Sequence, residues 1–309
     1  MKNWQQEFGL INKRNMAISD TEFWESLASY KFLTAEVAMP RSSYDELAPW
    51  VRPTVQAAAV GMSVDTAVVA GRAAARLWGI ALHNWRDPTV DLLYTDDKRP
   101  GGRSTWPAGW VYHSAHLSPD DVRELRGVRV TSVMRTLRDI ASWNGELEGV
   151  VATDSARAKW SELTKATLRR HMLPSPRFAG KASVERVIEL SDEKSGSPLE
   201  SHARFLLVEA NLEGVVSIET QAKVTDPATG QNFLLDLLIN NWIAVEIDGQ
   251  VKYDGVSFGA TEDVIRRERQ REKTIQNMGL VMIRTSKPEE VVELVARALA
   301  RVMPSLKRA

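Results

Sequence analysis

Phe233-Leu234-Leu235-Asp236-Leu237-Leu238-Ile239-Asn240-Asn241-Trp242-Ile243-Ala244-Val245-Glu246-Ile247-Asp248-Gly249 decides how this chain is read. Two apolar runs of strand length flank Asn240-Asn241. The first holds one carboxylate, Asp236, in its interior, and the second carries Glu246 and Asp248 near its end. An ionised group inside so apolar a strand is costly to desolvate unless something compensates it. A divalent cation compensates several carboxylates together, and hard cations such as magnesium take oxygen ligands at roughly 2.1 Å. Pairing register supplies the geometric condition, because side chains alternate faces along a strand. A strict two-residue turn at Asn240-Asn241 would pair Asp236 with Val245 and send Glu246 to the other face. A three-residue loop, or one bulge, sets Asp236 against Glu246.

Outward from this hairpin, a helix is expected from Pro198 to about Asn211 and a strand over Val216 to Val224, followed by the turn Asp226-Pro227-Ala228-Thr229-Gly230. A charged helix is expected over Thr261 to Met278, then a short strand from Leu280 to Thr285. Ser286-Lys287-Pro288-Glu289 has the form of a capping box opening a helix from Glu290 to Val302. The order α-β-β-β-α-β-α predicts an α/β domain, a small mixed sheet flanked by helices.

Asp236, then Glu246-Ile247-Asp248-Gly249-Gln250-Val251-Lys252-Tyr253, the charged helix and Gly279-Leu280-Val281-Met282-Ile283-Arg284 together resemble the PD-(D/E)XK nuclease superfamily. The likeness is to the branch related to very-short-patch-repair endonucleases, which has the restriction-endonuclease-like fold. It covers roughly 197–285 and extends to Ser197-Pro198-Leu199-Glu200 and Gln221. The resemblance implies that Asp236 and Glu246, with the Ile247 carbonyl, hold Mg2+, for which Mn2+ can substitute. It also implies that Glu200 assists and that Lys252 positions or activates water. The usual third motif position is Lys, whereas here it is Asp248, so the cation would come from Lys252 in the following turn.

Several of these residues also have a plain structural reading. Glu200 stands where a capping box with Ser197 as N-cap would place it. Asp248-Gly249 can start a turn, Lys252 can be a solvated lysine, and Gln221 reads as ordinary strand surface. Arg266, Arg267, Arg269, Arg271 and Lys273 share a helix with Glu268 and Glu272. They are either a solvated face with i,i+4 ion pairs or contacts to the phosphates of DNA.

Residues 1–50 are expected to form a small helical section. Its capping box is Ser19-Asp20-Thr21-Glu22, with Phe23, Leu27 and Tyr30 at helical spacing. Residues 51–192 are expected to form an α+β domain and linker, and 193–309 the nuclease-like domain. Within the middle part, Thr54 to Leu82 is alanine-rich and helix-prone, with Gly61 and Gly71 as breaks. Strands are expected at Val90–Tyr94, Trp110–His113 and Val128–Val130, and helices over 132–141 and 147–157. Lys98-Arg99-Pro100-Gly101-Gly102-Arg103 has the chemistry of an exposed loop. Ala73-Ala74-Ala75-Arg76-Leu77-Trp78-Gly79, Gly127-Val128-Arg129-Val130-Thr131-Ser132 and Arg135-Thr136-Leu137-Arg138-Asp139 resemble the AbiEi-type antitoxin and regulator family. Such proteins usually begin with a winged-helix DNA-binding domain, which is not visible before residue 50 here. Arg135 and Asp139 read as a structural ion pair. His83, His113, His116 and His171 lack ligand spacing for zinc.

The 309 residues exceed what one core usually organises. Lys+Arg and Asp+Glu are both 40, so any cationic surface has to be local. No cysteine is present, which excludes disulfides, thiolate zinc sites and cysteine nucleophiles. The first residues lack a signal-peptide core, and charges interrupt every apolar run short of the roughly 20 residues a membrane span needs, so a cytoplasmic protein is expected. The leading expectation is a Mg2+-dependent DNA endonuclease, a hydrolase of phosphodiester bonds in a defence, restriction or repair setting. The alternative is an AbiEi-like DNA-binding regulator or antitoxin whose nuclease fold has lost catalysis. A homodimer is compatible with either. No Gly-rich phosphate loop or nucleophile motif favours a small-molecule enzyme.

Overall fold

The computed structural model describes residues 2–17, 19–95, 101–173, 177–249 and 262–306. These are mixed α/β, with mixed sheets flanked by helices. The chain divides into two compact units, one of 1–153 and 162–189, the other of 154–161 and 190–309. No helix of the described residues is long and apolar enough to cross a membrane.

The first unit opens with α1 (Trp4–Phe8), β1 (Ile11–Asn12), α2 (Thr21–Glu25), β2 (Tyr30–Phe32), β3 (Val37–Pro40) and α3 (Arg41–Glu46). The helical expectation for 1–50 is therefore corrected: β1, β3 and β2 form an antiparallel sheet in that order. The helical spacing of Phe23 and Tyr30 is real, but a chain reversal satisfies it. Helix α2 stops after five residues, and the two rings meet at 5.0 Å across the turn into β2. Val37, Ala38 and Met39 are buried in succession, so the strand has no polar alternation by which to recognise it.

The alanine-rich run is not one broken helix either. It forms α4 (Arg52–Ser63), β4 (Ala67–Ala70) and α5 (Gly71–Trp78). Gly61 lies inside α4 rather than ending it. A Cβ there would fall 2.2 Å from Val128 Cγ1, so the glycine lets helix and strand approach closely. Gly71 does break the run, with φ +49°. The chain continues through β5 (Val90–Tyr94), β6 (Trp110–His113), β7 (Val122–Leu125), β8 (Val128–Thr131), α6 (Val133–Trp143), α7 (Glu146–Lys159), α8 (Lys165–Met172) and α9 (Lys181–Leu190). The five-stranded sheet runs β6-β5-β4-β8-β7, with β4 parallel to β8 and antiparallel to β5. Trp4, Val37, Met39, Val55, Ala58, Val69, Ala74, Leu92 and Val130 share one core, so 1–50 packs together with α4, α5 and the five-stranded sheet. Of the expected 98–103 loop, 98–100 lie outside the described residues.

Two of the buried carboxylates in this unit face a basic side chain. Arg135 Nε donates to both Asp139 oxygens at 2.8 and 3.0 Å, the expected ion pair, and Arg135 Nη1 donates to the His116 carbonyl. Burial outweighs that pairing and pushes the Asp139 carboxyl up to about 6. His113 Nε2 lies 2.8 Å from Asp91 Oδ1, and its ring stacks on Trp143.

The second unit contains α10 (Pro198–Ala210), β9 (Ile218–Thr225), β10 (Asn232–Ile239), β11 (Ile243–Ile247), α11 (Glu262–Asn277), β12 (Val281–Thr285) and α12 (Val291–Leu306). The sheet order is β12-β11-β10-β9. Strand β10 pairs antiparallel with both β9 and β11, and β11 and β12 are parallel across the α11 crossover. Leu237, Ile239, Ile243 and Val245 pack with α10 and α12 through Ala203, Leu207, Val291, Val295 and Leu299. Phe233, Leu235, Leu238 and Ala244 pack instead with Ile275 of α11. The expected capping box at Ser286 does not form. A short 3-10 turn over Pro288–Glu290 precedes α12, and Thr285 Oγ1 accepts from Lys287 N. Asp154, within α7, ion-pairs with Arg204 of α10 at 2.7 Å and accepts from Asp192 N.

A candidate carboxylate site at the split between two strands

The hairpin between β10 and β11 sets the register. Asn240 and Asn241 both adopt positive φ, 51° and 62°, and Trp242 N donates to the Ile239 carbonyl at 3.1 Å. Asparagine tolerates this left-handed pair, as a tight hairpin turn requires. The Asn240 side chain ties the turn to the approach to β9, accepting from Val216 N and Ser217 N and donating to the Gly214 carbonyl. Trp242 is then one extra residue: the ladder resumes at Ile239↔Ile243, Leu238↔Ala244 and Leu237↔Val245. One step further, this register brings Asp236 opposite Glu246, the odd-loop arrangement that a shared cation requires.

The ladder stops at that step. In place of a backbone acceptor, Asp236 Oδ2 takes the Ile247 N–H at 2.8 Å. On the other side, the β9–β10 ladder skips Asp236 between Leu235↔Ala222 and Leu237↔Thr220. The residue facing the gap is Gln221, with φ +49°. Its Nε2 donates to Asp236 Oδ1 at 3.2 Å and to Glu200 Oε2 at 2.6 Å. Gln221, read from sequence as strand surface, is thus the bridge between two carboxylates. The observed pairing Asn232↔Thr225 puts Gln221 opposite Asp236, whereas a turn over 226–230, as read from the sequence, would have put Thr220 there.

Glu200 lies in the first turn of α10, where its backbone takes part in the cap and its carboxylate accepts from Gly196 N rather than from the N-cap Ser197 N. Ser197 Oγ accepts from Glu200 N at 3.2 Å as the N-cap of α10, and Glu200 Oε2 accepts from Gly196 N at 2.9 Å while reaching Gln221. Glu246 is 7% exposed and is held by Arg271, whose Nη1 donates to Oε2 at 2.7 Å. Arg271 Nη2 also donates to the Leu234 carbonyl at 2.8 Å. Arg271, expected among the phosphate contacts, is therefore a counter-ion inside the site. Asp248 pairs with Arg284, Nε to Oδ2 at 2.5 Å, and its N–H continues the ladder to the Thr285 carbonyl.

Arg266 and Arg269 are exposed on α11. Lys252 and the Arg267 side chain lie outside the described residues. The structure brings together Glu200, Gln221, Asp236, Glu246 and Arg271, and it ties Asp248 to Arg284.

The electrostatics follow from this packing. Asp236 is pushed up to about 6, first by burial and then by the charges of Glu200 and Glu246, against the Ile247 N–H and Gln221. Among the described residues, no three acidic or histidine side chains stand ready to hold a metal ion as they are placed. Each carboxylate of the trio already has a protein donor. The donor chemistry nevertheless suits a hard divalent cation: every candidate ligand is oxygen, and negative charge is in surplus at Asp236. A cation at Glu246 has to displace Arg271. No protein-family model, curated protein or solved structure matches the chain.

Proposed function

We propose that the second unit is a Mg2+-dependent DNA endonuclease of the PD-(D/E)XK type and that the first is an AbiEi-like domain serving target choice. One observation carries the reading: Asp236 lies beside Glu200 and Glu246 at the point where the β10–β11 ladder opens, with its carboxyl raised to about 6. Buried like charges are retained at a cost, and such shifts gather at functional sites. Asp236, Glu246 and the Ile247 carbonyl hold the cation, for which Mn2+ can substitute. Bound there, the ion lowers the pKa of a water and neutralises charge on a scissile phosphate. Gln221 bridges Asp236 and Glu200, and Glu200 would hold a second ion or the attacking water. Lys252, by resemblance alone, orients the attacking water. Arg266, Arg267 and Arg269 on α11 contact the DNA backbone.

A second reading, a DNA-binding regulator without catalysis, is favoured by the two protein cations already in place, Arg271 on Glu246 and Arg284 on Asp248. Purified protein incubated with supercoiled plasmid and Mg2+, beside Asp236→Ala, separates the two. Nicking that EDTA and Asp236→Ala both abolish supports the enzyme. Retention of the plasmid without nicking by either protein rejects it.

A further inference from the structure

In the first unit, α3, the start of α4 and the segment after α5 enclose an open cleft of about 300 Å3. Its walls carry Tyr44, Arg52, Trp85 and Arg86 among prolines, and the charged residues lining it are both cations. Asp45 and Glu46 of α3 are exposed but do not line it.

The rings and cations are arranged in pairs. The Arg86 guanidinium lies 4.9 Å from the Trp85 ring centre, and that of Arg52 lies 5.0 Å from the centre of Tyr44. Lys31 Nζ approaches the same tyrosine ring at 5.6 Å. Arg52 is held in place, donating through Nε and Nη2 to the Leu47 and Asp45 carbonyls at 3.3 and 3.1 Å. Trp85 is 37% exposed, and Trp50, next to the cleft residue Pro49, is 54% exposed. An indole left in water forfeits the burial that makes it worth having in a fold.

We propose that this cleft binds a single-stranded segment of nucleic acid, one base stacking on Trp85 and the flanking phosphates meeting Arg86 and Arg52. With the Arg86 guanidinium over one face of the Trp85 ring, a base stacks on the other face, which matches the alternation of base and phosphate along an unpaired strand. A duplex keeps its bases stacked on one another and offers nothing to the ring. A proline-rich peptide would use the aromatic wall but has no negative charge for the arginines. The binding stands apart from whether the carboxylates of the other unit cut.

The test is fluorescence anisotropy of the full-length protein in EDTA with a labelled oligothymidylate of about 12 nucleotides, within the span one module covers. A duplex of equal length and a proline-rich peptide are the comparators. The oligothymidylate binds best, and Trp85→Ala weakens it about tenfold, the scale of one lost stacking contact. Arg86→Gln also weakens it and lowers the salt slope by about 0.7, one phosphate contact. Trp85→Phe retains most of the affinity, which separates loss of the ring from loss of the fold. Absence of binding by the wild type, preference for duplex or peptide, or full affinity in both Trp85→Ala and Arg86→Gln overturns the proposal. A plasmid that stays uncut bears only on the endonuclease reading.

Discussion

At the scale of single residues, the carboxylate site is a balance between surplus charge and the groups that hold it. Asp236 has a carboxyl raised to about 6 from an ordinary value of 3.8. The folded state therefore holds its proton more tightly than the unfolded state does. This group's contribution to stability is full below pH 3.8 and is lost as pH rises through about 6. Asp236→Asn, which keeps an acceptor for Ile247 N, is expected to stabilise the metal-free protein at pH 7.5. The gain is about 1 kcal/mol after allowing for partial exposure, and it fades towards pH 4. Urea melts of both proteins at the two pH values check it, and an equal difference at both would contradict the assignment.

Arg271 acts on the same balance. Arg271→Gln leaves Glu246 buried without its cation, so the metal-free protein should lose about 3 kcal/mol. The same change removes the competitor for a divalent ion. Titration calorimetry with Ca2+ should show tighter binding than in the wild type, and weaker binding would show that Arg271 supports the metal rather than displacing it.

At the scale of elements, close approach and register outweigh local propensity. Gly61→Ala would favour a helix by about 1 kcal/mol on propensity alone. Inside α4 the new Cβ would press on Val128, so a net loss of about 1–3 kcal/mol is expected from overpacking, read by chemical denaturation. Asn240→Ala removes the bonds that its side chain makes to Gly214, Val216 and Ser217 and places a β-carbon residue at positive φ without compensation. A loss of about 2 kcal/mol is expected, whereas Asn241→Gly should be neutral or mildly stabilising. The strands β9 to β12 and the helix opened by Ser197 were legible because each has a long apolar or charged pattern with clear punctuation. Strands β1 to β4 were not. They span two to four residues, and Ala67 to Ala70 is buried throughout, which erases the alternation that marks a strand.

At the scale of the whole molecule, the chain holds two units with separate cores, each pinned by its own buried ion pair. Asp139→Ala strands Arg135 in the first unit, and Asp154→Ala strands Arg204 in the second. Each loss should cost about 3–5 kcal/mol. In scanning calorimetry the two substitutions are expected to lower different transitions. A single transition lowered equally by both would show that the units melt as one.

The amino-acid sequence alone determined the apolar strands, the carboxylate each carries, the charged crossover helix and the N-cap at Ser197, because all of these rest on contacts within a few residues. Tertiary structure decided what those carboxylates face. One extra residue, Trp242, sets which side Glu246 takes, and a positive φ at Gln221 turns an ordinary strand position into the link from Asp236 to Glu200. Arg271 reaches Glu246 only because Ile275, one turn further along α11, is packed on the sheet face beside it. Register and packing between distant segments balance small differences summed over many contacts, so a single strand's own residues do not reveal them.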